Sequence, residues 1–370
     1  MDVALRLAQT GEYTVSPNPV VGAVVVKEGR MIGCGAHQKT GAPHAEVLAL
    51  EACTEPPDGA TLYVTLEPCN HTGRTGPCTE RILSANIGRV VIAMEDPNPL
   101  VAGAGIKRLQ NAGIAVTEGV CKKKALRLNE RFVHYITTQT PFVTLKCATT
   151  WDGWMATGSG DSKWISNEQS RQITHTLRHA SDTILIGKNT AMADDPLLTV
   201  RLENVEKQPV RIVLDTNLTL PLESQLVGTA KEAPLWIVSG KKRPDNDFLN
   251  RKAALEKKGV RVITDVPTMA ESDKIDFSSL IRFLGKEEIS SLLIEGGGQT
   301  AHAALWAGVV QKIVWFLSPQ LLGGSDGVSA FQGRGASRIS ECVKLYHTNL
   351  FPVEGDWMMT AYTTPQAWEE

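Results

Sequence analysis

Short apolar runs bounded by glycine, proline or asparagine recur along this chain, separated by segments with helical apolar spacing. That alternation limits the possible folds more than any other feature. In the first half, Val20–Lys27 leads through Glu28-Gly29 into Met31–Gly35, a hairpin pattern. Strands follow at Thr61–Leu66, at Arg89–Met94 and near Val116. Helices are expected from the start of the chain to about Gly11, over "PHAEVLAL", from Cys78 to Asn86, over Ala104–Ala112 and over Lys124–His134. A sheet with helices on both faces satisfies this order. The Thr-rich stretch "ITTQTPF", ending at Pro141, is the best boundary, and beyond it the pattern restarts. Strand-like runs occur at "FVTLKCA", Thr183–Ile186, Val210–Leu214, Leu235–Val238, Val260–Ile263, Ser291–Ile294 and Ile313–Leu317. Helices are expected near Asn167–Arg178, Phe248–Lys258 and Thr300–Ala307. A chain of 370 residues exceeds one ordinary core, so two α/β domains are expected, 1–140 and 141–370.

The charge balance excludes some functions. Thirty-eight basic against 40 acidic residues give a net charge of −2, no footprint for a nucleic acid or a membrane surface. The clusters Lys122–Lys124 and Lys241–Arg243 are short enough to be solvated surface. Asp2, Arg6 and Gln9 interrupt the first apolar stretch, so it does not read as an export signal, and the cytosol is the expected compartment. Seven cysteines, an odd number, argue against a disulfide framework. Cys53, Cys121, Cys147 and Cys342 have no motif spacing and read as small buried apolar side chains.

Two other cysteines carry chemistry. His44 and Glu46 are two residues apart at the opening of a helix behind Pro43, a spacing unsuited to two equivalent ligands on one helical face. Downstream, "LEPCNHTGRTGPC" places Cys69 after a strand and Cys78 at a helix start. His44, Cys69 and Cys78 form a three-ligand set of the catalytic zinc type, which leaves a fourth position for water. The helix N-terminus favours a thiolate at Cys78. Glu46 is then free to handle protons. His-x-Glu with Pro-Cys resembles the zinc-dependent nucleobase deaminases, whose glutamate is not a ligand. The competing reading is structural: His71, between the cysteines, could close an inert Cys2His2 site, which leaves Glu46 without a role.

Cys69 and Cys78 lie further apart than in the general deaminase signature. "CNHTGRTGPC" resembles the bifunctional riboflavin-biosynthesis enzymes, a pyrimidine deaminase fused to a reductase. The resemblance continues through "SPNPVVGAVVV", "PHAEVLAL", "TLYVTLEPC" and "EDPNPLVAGAG". In the second half it covers "LKCATTWDGWMATGSGDSKWIS", "HTLRHASDTILIGKNTAMADDPLLTVR" and "SLLIEGGGQTAHAALW". It implies an N-terminal cytidine-deaminase-like three-layer domain and a C-terminal dihydrofolate-reductase-like domain. It also implies Zn2+ and NADPH as cofactors, and as substrate a diaminopyrimidinone carrying a ribosylamino phosphate. The first domain would remove the 2-amino group, and the second would reduce the ring-opened ribose to a ribityl chain.

By the same resemblance Asn18, His71 and Asn98 would hold the pyrimidine, although turn chemistry beside proline equally explains the two asparagines. Ser162, Arg178, Arg201 and the backbone at Leu198 would hold the phosphate and sugar, since guanidinium groups present paired donors to a dianion. For Arg178 a surface salt bridge is the alternative. Ala148, Trp164, Thr190, Asp194 and the turn Gly296, Gly297 and Gly298 would face the cofactor, with Glu295 toward the substrate and Lys146 near the reacting centre. Bare glycine backbone before a helix can approach a pyrophosphate, though a tight strand-to-helix turn needs glycine too. Trp154 and Gly76 depart from the family pattern, standing where a basic residue and a proline are usual. The alternative function is a nucleic-acid-editing deaminase with a C-terminal binding or regulatory domain. A homo-oligomer is expected, with neither nucleic acid nor membrane as partner.

Overall fold

In the computed structural model the described residues are 1–70, 76–99, 101–240, 245–269, 272 and 274–366. His71 and Lys241–Arg243 lie outside them. Contacts divide the chain into two compact units, Met1–Gln139 and Thr140–Pro365.

The first unit runs α1 (Asp2–Gln9), β1 (Gly22–Lys27), β2 (Arg30–Ala36), α2 (Ala45–Glu51), β3 (Thr61–Val64), α3 (Cys78–Ser84), β4 (Arg89–Ile92), α4 (Ala104–Asn111), β5 (Ala115–Thr117), α5 (Lys122–Leu128) and α6 (Glu130–Thr138). Its five strands are ordered β2-β1-β3-β4-β5, with β1 antiparallel to both neighbours and β3, β4 and β5 parallel. Strand parity shows the layering. A Cβ on Gly22 would meet the α1 backbone at Ala4 and Ala8, so α1 covers the face to which Gly22 points. Gly35, paired with Ala23 and hence on the opposite face, would meet α2 at Ala49 and Leu48. Helices therefore cover both faces, and Leu62, Val64, Val90 and Ile92 form the core between them.

The helix expected over Lys124–His134 is two helices. Asn129 leaves helical geometry between α5 and α6 at φ −101°, and its buried amide bonds both polar backbone atoms of Val20 at 2.9 and 3.1 Å. A side chain that bonds distant backbone competes with the helix it interrupts. The Lys122–Lys124 cluster opens α5 and is exposed, with Lys124 paired to Asp2 at 2.7 Å.

The second unit runs β6 (Phe142–Thr150), β7 (Trp154–Ala156), α7 (Glu168–His179), β8 (Thr183–Gly187), α8 (Lys188–Asp194), β9 (Val210–Leu214), α9 (Gln225–Gly228), β10 (Leu235–Val238), α10 (Asn246–Lys257), β11 (Arg261–Ile263), α11 (Phe277–Lys286), β12 (Ser291–Ile294), α12 (Gly298–Trp306), β13 (Lys312–Ser318), β14 (Val328–Ser329), β15 (Tyr346–Val353) and β16 (Asp356–Tyr362). Nine strands form one sheet, β11-β10-β9-β8-β12-β6-β13-β16-β15. From β11 to β13 neighbours are parallel, and β16 and β15 close one edge antiparallel. The central parallel strands are buried on both faces, which is why they read as continuous apolar runs.

Among the features that escaped the sequence pattern are α8, α9, α11, the short β7-β14 pair and the β15-β16 hairpin. Residues 347–352 of β15 show no buried alternate positions and so leave no period-two signal. Of the four cysteines expected to be buried, only Cys147 is; Cys53 and Cys121 are half-buried, and Cys342 is exposed within the open stretch that precedes β15. Among the described residues no helix is long and apolar enough to cross a membrane.

Candidate active sites

In the first unit, His44 is the N-cap of α2, with extended backbone at φ −73°, ψ 160°. It is therefore off the helical spacing on which Glu46 sits, which resolves the two-residue separation. Pro77 precedes Cys78 at the first turn of α3, and the Cys78 N–H donates to the Cys69 sulfur at 3.4 Å. His44 Nδ1 lies 3.2 Å from Cys78 Sγ and 3.5 Å from Cys69 Sγ. Tetrahedral zinc with bonds of about 2.0–2.3 Å implies ligand separations of about 3.3–3.8 Å, so this donor set fits the ion with little adjustment. Among the described residues it is the one three-ligand cluster.

Charge is unevenly shared there. The Cys69 thiol is pushed down to about 4, first by the hydrogen bond from Cys78 and further by His44, while Cys78 is raised. His44 is raised by its bond to Cys69. Glu46 is 3 % exposed, and burial pushes its carboxyl up to about 7. A carboxyl at that value can both accept and release a proton near neutral pH.

Asn18 bonds His37 Nε2 at 3.2 Å through its amide. His37 Nδ1 in turn contacts the Pro43 carbonyl at 3.2 Å, and its ring meets that of His44 edge to face at 5.6 Å. Asn18 is thus tied to the same cluster. Asn98 sits in a turn whose N–H bonds Asp96 and whose carbonyl takes the N–H groups of Val101 and Ala102, so turn chemistry does operate there. Gly76 has open space where a side chain would stand, so the family's proline is not excluded by contact. Sequence reasoning missed His37 and Glu67. The buried Glu67 carboxylate accepts four backbone N–H groups, from Asp96, Gly103, Gly105 and Ile106, at 2.8–3.1 Å, and so fastens that loop to the strand end carrying Cys69. Its only signal was its place in "LEPC".

In the second unit a cavity of about 1600 Å3 opens where β8, β9 and β12 end, the crevice that parallel sheets offer to ligands. Lys146, Ala148, Ser162, Trp164, Arg178, Thr190, Asp194, Leu198, Arg201, Glu295, Gly296, Gly297 and Gly298 all line it. Arg178 is not the surface salt bridge its helical position suggested. Its guanidinium grips Glu295 with two bonds, 2.6 and 3.0 Å, and donates to the Thr199 carbonyl at 3.2 Å. Burial is the largest influence on Glu295 and raises it, but the Arg178 charge, the Arg178 hydrogen bonds and the charges of Lys146 and His175 together outweigh burial and hold the carboxyl below its ordinary value. Lys146 is pulled below its usual range by burial, against the attraction of Glu295. Burial raises Asp194. Trp164 is exposed over the cavity with Arg171 stacked 4.6 Å from its ring centre.

The glycine turn is set by packing. The Gly297 N–H donates to the Thr190 hydroxyl at 3.0 Å, and a Cβ on Gly298 would strike the Ser329 carbonyl and Gln332. Trp154 does not line the cavity; its indole packs against Gly327. His175 was missed. It borders the cavity beside Arg178, and its Nδ1 accepts the Arg201 N–H at 3.3 Å, which puts its proton on Nε2. Burial, with Arg178 and Arg201 adding to it, drives its pKa down to about 4.

Comparison with known proteins follows the same division. The cytidine and deoxycytidylate deaminase zinc-binding region matches residues 1–94, and the RibD C-terminal domain matches residues 141–358. The riboflavin biosynthesis protein RibD of Aquifex aeolicus is 45 % identical over 93 % of this chain and 92 % of its own. That of Escherichia coli is 39 % identical over 86 % and 87 %. The solved Acinetobacter baumannii RibD superposes with a TM-score of 0.86 at 35 % identity, covering 98 % of both chains. A Thermotoga maritima structure, described as a diaminohydroxyphosphoribosylaminopyrimidine deaminase/5-amino-6-(5-phosphoribosylamino)uracil reductase, gives 0.85 at 34 % over 98 % and 97 %. The cytidine-deaminase-like and dihydrofolate-reductase-like folds expected from the sequence hold, and the nucleic-acid-editing alternative finds no support. The chain belongs to the RibD family of riboflavin biosynthesis proteins, which join a zinc-binding deaminase domain to a reductase domain.

Proposed function

We propose that this chain performs two consecutive reactions of riboflavin biosynthesis. Residues 1–140 deaminate a diaminopyrimidinone bearing a ribosylamino phosphate, and residues 141–370 reduce its ring-opened ribose to a ribityl chain with NADPH. The observation that carries this reading is the pairing of a His-Cys-Cys cluster beside a buried glutamate with a cavity lined by every C-terminal candidate.

His44, Cys69 and Cys78 would hold zinc, which would supply the Lewis acidity that makes water nucleophilic near neutral pH. Glu46 takes a proton from the attacking water as its oxygen bonds to the ring carbon, and returns one to the nitrogen that leaves as ammonia. Asn18, Asn98 and His71 hold the ring. In the second unit the nicotinamide supplies hydride, and the protein's task is alignment. Ala148, Trp164, Thr190, Asp194 and the turn at Gly296–Gly298 border the cofactor. Ser162, Arg201 and the Leu198 backbone hold the phosphate and sugar. Arg178, committed to Glu295, fixes that carboxylate toward the substrate, with Lys146 beside it. The site of action is the cytosol. The working form is a homo-oligomer, for which the exposed Leu350 and Phe351 on the sheet-edge strand β15 offer a surface.

The test is Glu46→Gln in the purified protein. Zinc content and NADPH oxidation on deaminated substrate stay at the parent level, while ammonia release falls by about 100-fold or more. Unchanged deamination overturns the assignment.

A further inference from the structure

Arg211 lies on β9 and is fully buried, yet among the described residues no carboxylate bonds it. Its Nη atoms donate to the Leu197 carbonyl at 2.9 Å, Thr229 Oγ1 at 2.7 Å, and the carbonyls of Leu226 at 3.3 Å, Thr229 at 3.0 Å and Ala233. Nε has no partner. Burial lowers the pKa to about 10, so the group remains charged at neutral pH. Placing a cation here carries a desolvation cost, and an apolar side chain would occupy the interior without an orphaned N–H. Stability is a poor account of this residue. Its geometry offers a better one, because four of the five oxygens belong to α9 and the turn after it, while the fifth belongs to the cavity wall.

That wall, Asp195 to Arg201, has no regular structure but is held along its length. Gln225 donates from backbone and side chain to Asp195 at 2.8 and 2.5 Å, and Gln208 bonds both polar backbone atoms of Val200 at 2.7 and 3.1 Å. Arg178 holds the Thr199 carbonyl and His175 the Arg201 N–H. The hold on Leu197 comes from behind, through Arg211. Between Leu197 and Thr199, Leu198 adopts φ +52°, a left-handed conformation that is unfavourable for a non-glycine residue and persists only where its surroundings enforce it. The Leu198 side chain is 4 % exposed and belongs to the core with Ile184 and Val213, so what it offers the cavity is main chain.

We propose that Arg211 is a positioning residue for the reductase substrate: by fixing the Leu197 carbonyl it sets the left-handed turn at Leu198 and the approach of Arg201, two of the three groups assigned above to the phosphate and sugar. The proposal rests on that assignment. Reductase kinetics of Arg211→Lys, Thr229→Val and Arg201→Gln test both, with deaminase turnover of the same chain as an internal control. Arg211→Lys loses the planar fork and raises KM for the deaminated substrate about tenfold, with KM for NADPH, kcat and deaminase turnover within about twofold of the parent, since displacements near 1 Å suffice for effects of this size. Thr229→Val removes one acceptor of Nη1 and shifts the same KM by less; it decides the matter if Arg211→Lys fails to fold. Arg201→Gln raises the substrate KM as well. A raised KM in Arg201→Gln with none in the other two overturns the role of Arg211 alone. An unchanged KM in Arg201→Gln overturns the phosphate assignment and the proposal with it. Joint rises for substrate and NADPH, with a lower melting temperature, identify Arg211 as a packing residue only.

Discussion

Arg178 and Glu295 form a bidentate pair whose side chains are 13 % and 8 % exposed, at the floor of the reductase cavity. Removing one partner of such a pair strands the other charge and costs about 3–5 kcal/mol. Glu295→Gln should therefore lower the urea midpoint of the second unit's unfolding while leaving that of the first unit in place, and an unmoved midpoint would show the pair to be energetically idle. Protons act on the same cluster. His175 titrates near 4 when folded against an ordinary 6.5, so between these values the unfolded chain binds the proton and the folded one does not. Its contribution is whole above pH 6.5 and is lost as pH falls toward 4, and the lowered Glu295 adds a loss of the same sign below 4.5. The expected profile is a urea midpoint that declines from pH 6.5 to 4. In His175→Asn, whose amide oxygen can still accept the Arg201 N–H, the upper part of that decline should flatten; an identical slope would place the proton on another group.

At the scale of elements, α2 carries both His44 and Glu46 and is seated on β2 through a glycine. A Cβ on Gly35 would lie 2.6 Å from Ala49 N and 2.8 Å from Ala45 O, both backbone atoms that cannot swing aside. Overpacking of this kind costs about 1–3 kcal/mol. Gly35→Ala is expected to displace α2, weaken zinc retention against a competing chelator and reduce deamination, with NADPH oxidation unaffected; parent-level zinc retention would mean the helix position is not set there. The same glycine explains part of what the sequence conceals. Buried parallel strands such as Ile184–Ile186 and Leu292–Ile294 were legible as apolar runs, and the zinc-type set His44, Cys69 and Cys78 as a motif, because local residue type carries that information. The edge strand β15, solvated along most of its length, left no period to read, and α8, seven residues long, offered too little periodicity. Interactions between distant segments were equally hidden: Asn129 breaking a helix to reach Val20, Glu67 gathering four N–H groups, and Arg178 pairing with Glu295. Each is fixed by partners 29 to 117 residues away, which no local window contains.

For the whole molecule, each unit has its own sheet and its own core among the described residues. The near-neutral net charge of −2 supplies no general attraction for a phosphorylated substrate, so under the proposed function its capture would fall to local groups such as Arg201. It follows that the two chemistries should be separable by removing zinc alone. A ligand that binds only the folded form, present at about 1,000 times its dissociation constant, stabilises by about 4 kcal/mol, so chelation should lower the melting transition of the first unit and leave that of the second in place. Ammonia release should disappear with the metal and return on adding zinc, whereas NADPH oxidation on deaminated substrate should continue at the parent rate throughout. That substrate bypasses the first reaction, so any loss would have to originate in the second unit. If NADPH oxidation instead declines in proportion to zinc content, the reductase depends on the ion, and the assignment of the metal to residues 1–140 alone is wrong.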